Sequence, residues 1–83
     1  MLLSPLVARG RVVAAARMLA GLDQLQLAAE AGLSPSTISK IEQGRRDVRR
    51  ETFRAVSEAL DRLGVDLTQN GRTGHHAVGT SYA

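Results

Sequence analysis

The chain has 83 residues, a mass of 8.9 kDa and a formal net charge of +3, and it contains no cysteine. This length allows one domain with a thin core, since a chain of this size buries only about 60% of its unfolded surface. The absence of cysteine excludes disulfides and thiolate metal sites, and no apolar run reaches the roughly 18 residues of a membrane span. The N-terminal segment lacks the basic lead of a signal peptide, so we expect a cytoplasmic protein.

The first predicted element is a helix from about Pro5 to Ala20. Ser4 fits the N-cap and Pro5 the first helical position, where the missing N–H of proline costs nothing. Apolar and small side chains share one face of this helix, and Arg17 falls on the same face. A buried charge requires a partner, so Arg17 is expected to have one.

Two short helices joined by a turn follow between Asp23 and Gly44. Asp23 is the expected cap of a helix from Gln24 to Ala31, and Gly32 makes the turn. Ser34 and Pro35 then mark the start of the third helix, which Gly44 ends with a left-handed backbone. Two helices of this length around a tight turn fit helix-turn-helix DNA binding.

The third helix carries a charge that mirrors Arg17. Ile38, Ile41 and Glu42 fall on its inner face by helical spacing. We therefore predict an ion pair between Arg17 and Glu42 that ties the first helix to the end of the third. On this division, Gln24, Ser36 and Lys40 point outward and have no structural role.

Positive charge is concentrated just after the third helix. The stretch from 40 to 50 contains two acidic residues, Glu42 and Asp47. It contains five basic residues, namely Lys40, Arg45, Arg46, Arg49 and Arg50. A solvated charged loop and a phosphate-binding surface are both open interpretations of this pattern.

A fourth helix is predicted from about Arg49 to Leu63, because apolar residues recur there at steps of three and four until Gly64.

We assign residues 1–64 to one domain and residues 65–83 to a C-terminal segment. In that segment apolar and polar residues alternate from Val65 to Thr68, which is typical of a strand. Asn70-Gly71 indicates a turn before a second short strand. Small and polar residues favour a frayed tail instead. A single exposed strand would pair with its copy across a two-fold axis and make a dimer.

Several spaced positions together resemble the XRE family, the helix-turn-helix domain of the lambda and 434 repressors and Cro. The resemblance covers roughly Leu6 to Leu63 and is carried by Arg17, Gln24, Leu27, Ala28, Gly32, Ser34, Ile38, Ile41, Glu42 and Gly44. It implies an all-α bundle of four to five helices and a dimeric repressor at an inverted-repeat operator. The long fourth helix and the strand after it are also similar to HipB-type antitoxins, which implies the alternative of an antitoxin bound to a HipA-like toxin kinase.

The resemblance also implies which side chains meet double-stranded DNA. Gln24 matches the family position that holds a phosphate, and the third helix would lie in the major groove with Ser36 and Lys40 nearest the base edges. Pro35 stands where the family often has a long polar reader, so we expect sparse direct readout and a larger share for DNA shape. The full set of expected DNA-binding residues is Gln24, Ser34, Pro35, Ser36, Thr37, Ser39, Lys40, Arg45, Arg46 and Arg49.

An enzyme is the competing class of protein. His75 and His76 with Asp66 would be its candidate metal or acid-base cluster. Adjacent histidines in a strand point to opposite sides, and no nucleophile or second carboxylate accompanies them. We therefore expect no catalytic residue, no metal and no cofactor.

Overall fold

A computed structural model describes residues 4–67 and 79–80. Four helices lie in the described part of the chain, α1 (Pro5–Leu19), α2 (Gln24–Ala31), α3 (Pro35–Glu42) and α4 (Arg50–Arg62), with two short strands, β1 (Val65–Asp66) and β2 (Gly79–Thr80). The predicted all-α bundle is confirmed. The observed bounds differ from the predicted ones by one residue at the end of α1 and at both ends of α4. No helix in the described ranges is long and apolar enough to cross a membrane.

Side-chain caps fix where the first three helices begin. The Ser4 hydroxyl accepts from the backbone N–H of Val7 at 3.2 Å at the start of α1. At the start of α2, Asp23 and Gln26 exchange side-chain and backbone hydrogen bonds of 2.7 and 2.9 Å, which is a capping box. Helix α4 differs, because its N-cap residue Arg49 makes no side-chain capping bond.

The core is formed by one apolar face from each helix and by the first residue of β1. The buried residues are Val13, Ala16, Leu27, Ala28, Ile38, Ile41, Val56, Ala59, Leu60 and Val65. Three of them are alanines, whose small side chains let the helices cross closely. Leu63, the predicted last residue of the fourth helix, lies after the end of α4 and is 36% exposed.

Helix α1 crosses directly over the end of α3. A Cβ atom on Gly10 would lie 2.5 Å from the carbonyl oxygen of Ile41 and 2.7 Å from that of Glu42. A Cβ atom on Gly44 would lie 2.8 Å from the Cα atom of Val7, and the φ of Gly44 is +76°. Both glycines therefore permit backbone contacts that any side chain would block.

The C-terminal segment contains a two-stranded antiparallel sheet. Val65 pairs with Thr80 and Asp66 with Gly79, so β1 has a partner within its own chain. The observed strand is shorter than the predicted Val65–Thr68. Thr68, the predicted turn at Asn70-Gly71 and the histidine pair at 75–76 lie outside the described residues.

Replacement of Gly10 by Ala tests the close crossing of α1 and α3. In an ordinary helix this change stabilises by about 0.5–1 kcal/mol. Here the new Cβ would meet two backbone carbonyls, so we expect the free energy of unfolding to fall by about 2 kcal/mol through overpacking. Denaturant unfolding measures this change.

The matched control is Ala15→Gly at an exposed position of the same helix. It should lower the free energy of unfolding by about 1 kcal/mol, the ordinary helix-propensity effect. A stabilising Gly10→Ala variant would contradict the close crossing.

Candidate DNA interface

An ion pair joins the end of α1 to the end of α3. The Nε atom of Arg17 donates to Glu42 Oε2 at 2.8 Å, and Nη2 donates to Oε1 at 3.2 Å. The Nη1 atom of Arg17 also donates to the carbonyl of Leu22 at 2.9 Å, in the connection to α2. The two side chains are only 14% and 9% exposed. The pair predicted from the helical faces is therefore present, and its hydrogen bond to Glu42 raises the pKa of Arg17 despite the opposing effect of burial.

Gln24 is the third member of this network. Its Nε2 atom donates to Glu42 Oε1 at 3.1 Å, so one carboxylate oxygen accepts from both Gln24 and Arg17. The expectation that Gln24 has no structural role is wrong, because it joins the first residue of α2 to the last residue of α3. A carboxamide nitrogen carries two hydrogens, so the same group can hold Glu42 and still donate once more.

A group of hydroxyls lies at the start of α3. Ser34 is the N-cap, and its Oγ accepts from the backbone N–H of Thr37 at 3.3 Å. The same Oγ lies 2.7 Å from Thr37 Oγ1 and 3.2 Å from Ser36 Oγ. Pro35 and Ser36 are exposed beside it. A hydroxyl can rotate to donate to a phosphate or a base edge instead of its neighbour, and the positive end of the α3 dipole favours an anion.

Ser39 and Gln43 pair on the outer side of α3. Gln43, the C-cap residue, is exposed and donates from Nε2 to the Oγ of Ser39 at 2.9 Å. Gln43 lies three residues after Lys40, at the end of α3, and is absent from the DNA-binding residues expected from the sequence. Its helical spacing from Lys40 was the available signal. We add Gln43 to the candidate interface.

Two of the predicted cations converge on one carboxylate. The Nζ atom of Lys40 lies 3.8 Å from Asp47 Oδ2, and the Nε atom of Arg45 lies 3.7 Å from Asp47 Oδ1. Arg46 and Arg49 are exposed, and within the described ranges neither takes part in an ion pair. Sequence reasoning treated Asp47 only as part of the charge balance and missed that it sits between two candidate DNA ligands.

The opposite charge gathers at the other end of α4. Ser57, Glu58 and Asp61 line an open cavity of about 200 Å³ together with Asp66 of β1. Although Arg54 pairs with Glu58 at 3.2 Å, three carboxylates around one cavity make this side less favourable for a polyanion than the basic loop. Among the described residues, no group of three histidine, cysteine or acidic side chains is arranged to hold a metal ion. The candidate DNA interface is therefore the side formed by the start of α2, the outer face of α3 and the loop after it.

The comparisons with known proteins agree with this assignment at the level of family. A family model described as helix-turn-helix matches residues 13–67, which include part of α1, the whole of α2, α3 and α4, and β1. No curated protein matches the chain.

Replacement of Glu42 by Gln tests whether the ion pair holds the helices together. The change leaves the largely buried Arg17 without a charged partner, so we expect the free energy of unfolding to fall by about 3 kcal/mol. The double variant Arg17→Met, Glu42→Leu removes both charges and should recover much of this loss. Chemical denaturation of the wild-type protein and of the two variants measures the loss and its recovery.

Glu58→Gln is the matched control, because Glu58 pairs with Arg54 at 3.2 Å on the exposed surface of α4. An exposed pair of this spacing is worth about 0.3–0.5 kcal/mol. Equal losses from Glu42→Gln and Glu58→Gln would show that the Arg17–Glu42 pair has no special importance for stability.

Proposed function

The chain belongs to the XRE-type helix-turn-helix family of DNA-binding transcription regulators, and on this premise we propose that it acts as a dimeric repressor at an inverted-repeat operator. The observation that carries the proposal is the network of Arg17, Glu42 and Gln24. This network fixes the start of α2 against the end of α3 and leaves the outer face of α3 free for DNA.

In the proposed complex, α3 lies in the major groove of B-form DNA. Gln24 donates its second amide N–H to a phosphate, supported by the N-terminal end of the α2 dipole. Ser36 and Lys40 face the base edges, where lysine can donate to the O6 and N7 atoms of guanine while serine discriminates little. Pro35 offers no donor at the start of α3, so sequence-dependent DNA shape supplies much of the specificity.

The loop after α3 supplies the contacts that do not depend on sequence. Arg45, Arg46 and Arg49 are exposed there, and the N-terminus of α4 lacks a side-chain cap. Arginine binds phosphate through a planar fork of donors, which positions the domain without reading bases. With three arginine–phosphate contacts per subunit, a dimer's log K against log salt should have a slope of about −5.

The C-terminal sheet supports a dimer. Its two strands are only two residues long each, and isolated two-stranded sheets of this kind are marginal in water. Among the described residues the sheet consists of β1 and β2, and the outer edge of a two-stranded sheet can accept a further strand. We propose that the sheet extends across a two-fold axis, which would set the two copies of α3 about one helical turn of DNA apart.

The strand after α4 also favours a second candidate function. HipB-type antitoxins have a strand at this position, and this likeness favours binding of a HipA-like toxin kinase as the second function. In that case DNA binding would regulate the operon of the pair. Co-purification of the two proteins, with the kinase encoded by a neighbouring gene, would favour the antitoxin; its failure would favour a repressor that acts alone.

Selection of bound duplexes from a random pool, combined with the mass in solution, tests the proposed function. We expect a dimer and an inverted repeat. Lys40→Ala should relax base choice in each half-site, because it removes a base-edge donor. Arg46→Ala should weaken binding to all sequences alike and flatten the salt slope by about one unit per lost contact.

Arg54→Ala is the control for loss of an exposed arginine, since Arg54 lies on α4 in a pair with Glu58. It should leave both the selected sequence and the salt slope unchanged. A salt slope near zero for the wild-type protein, or equal effects of Arg46→Ala and Arg54→Ala, would contradict the proposed interface.

A further inference from the structure

Asp47 lies between the recognition helix and the basic loop. Each oxygen of its carboxylate faces one cation, Oδ2 at 3.8 Å from Lys40 Nζ and Oδ1 at 3.7 Å from Arg45 Nε. Lys40 belongs to the last turn of α3, and Arg45 belongs to the loop that follows. One anion therefore holds a candidate base reader and a candidate phosphate ligand in the free protein.

The exposure of these groups makes the contacts easy to replace. The side chains of Lys40, Asp47 and Arg45 are 47%, 53% and 54% exposed, respectively. Exposed ion pairs at such distances contribute little to stability and are screened by salt. A DNA phosphate or a base edge with two acceptors can take the place of the carboxylate without disturbing the fold.

We propose that Asp47 is an internal competitor of DNA for Lys40 and Arg45 and thereby lowers the affinity of the protein for DNA. The inference rests on the proposed DNA-binding function of α3. The carboxylate carries the same sign of charge as the DNA backbone, so it opposes any approach of phosphates to this part of the surface. A complex in which Lys40 and Arg45 bind DNA draws both cations away from Asp47 and weakens their attraction to it.

The competition acts on every DNA sequence that Lys40 and Arg45 contact. Non-specific binding depends almost entirely on phosphate contacts, so the attraction of two cations to Asp47 weakens it directly. At a matching site the O6 and N7 atoms of guanine accept from Lys40, but the attraction to Asp47 is lost there as well. Asp47 therefore lowers both affinities by a similar factor, and it makes no contact that reads a base.

Asp47→Asn tests the proposal, because it removes the charge and keeps the shape of an exposed side chain. Fluorescence anisotropy would measure binding to a mixed-sequence duplex and to the duplex obtained by selection. For the mixed-sequence duplex we expect affinity to rise about 3-fold per subunit, the range set by exposed ion pairs. The selected duplex should gain by a similar factor, because both complexes form from the same free protein.

Glu58→Gln is the matched control, since it also removes one carboxylate from an exposed pair with an arginine. It should change both affinities by less than about 2-fold, because Glu58 lies on α4 away from the proposed interface. A second comparison uses the Lys40→Ala background, in which the gain from Asp47→Asn should shrink because one of the two competing cations is absent.

Each outcome has a separate meaning. Equal effects of Asp47→Asn and Glu58→Gln in a wild-type background that binds DNA would overturn this inference alone. If Asp47→Asn raises DNA affinity as much in the Lys40→Ala background as in the wild type, the effect of Asp47 is one of net charge alone. That result would also overturn the inference. Failure of the wild-type protein to bind either duplex would overturn the proposed function and, with it, this inference.

Discussion

One carboxylate, that of Glu42, is the point on which the helix-turn-helix unit depends. Its Oε1 atom accepts from Arg17 and from Gln24, and its Oε2 atom accepts from Arg17. Three helices therefore meet at one side chain that is only 9% exposed. Hydrogen bonds to a shielded charge are stronger and more directional than those at the surface, so this group fixes the angle between α2 and α3. The outward orientation of α3 follows from that angle.

The ion pair also requires the backbone of α1 to come close to α3. Gly10 lies against the carbonyls of Ile41 and Glu42, where a Cβ atom would clash. The pair and the glycine contact support one another, because each holds the same two helices at the same end. Packing and electrostatics thus specify one arrangement, as expected for a small core with little apolar area to spare.

Sequence patterns predicted the parts of the fold that depend on periodicity and local chemistry. The N-caps at Ser4, Asp23 and Ser34 gave the starts of three helices, and helical spacing brought Arg17 and Glu42 to inner faces. The patterns did not predict side-chain contacts between residues that are distant in sequence and meet only in the folded chain. The bond between Gln24 and Glu42 spans two helix ends, and the function of Gly10 comes from a carbonyl on another helix. The sequence showed Asp47 only as one acidic residue in a basic stretch. Its position between Lys40 and Arg45 depends on the path of the loop.

Charge is distributed unevenly over the molecule, with exposed arginines beside α3 and carboxylates around the cavity between α4 and β1. The central claim is that DNA binds the first of these sides. Titration of the isotopically labelled protein with duplex DNA, followed by NMR, tests it most directly. We expect the largest shifts at the side-chain amide of Gln24, at the backbone amides of α3 and in the loop at 45–47. Shifts centred on Ser57, Asp61 and β1, with α3 unchanged, would contradict the account.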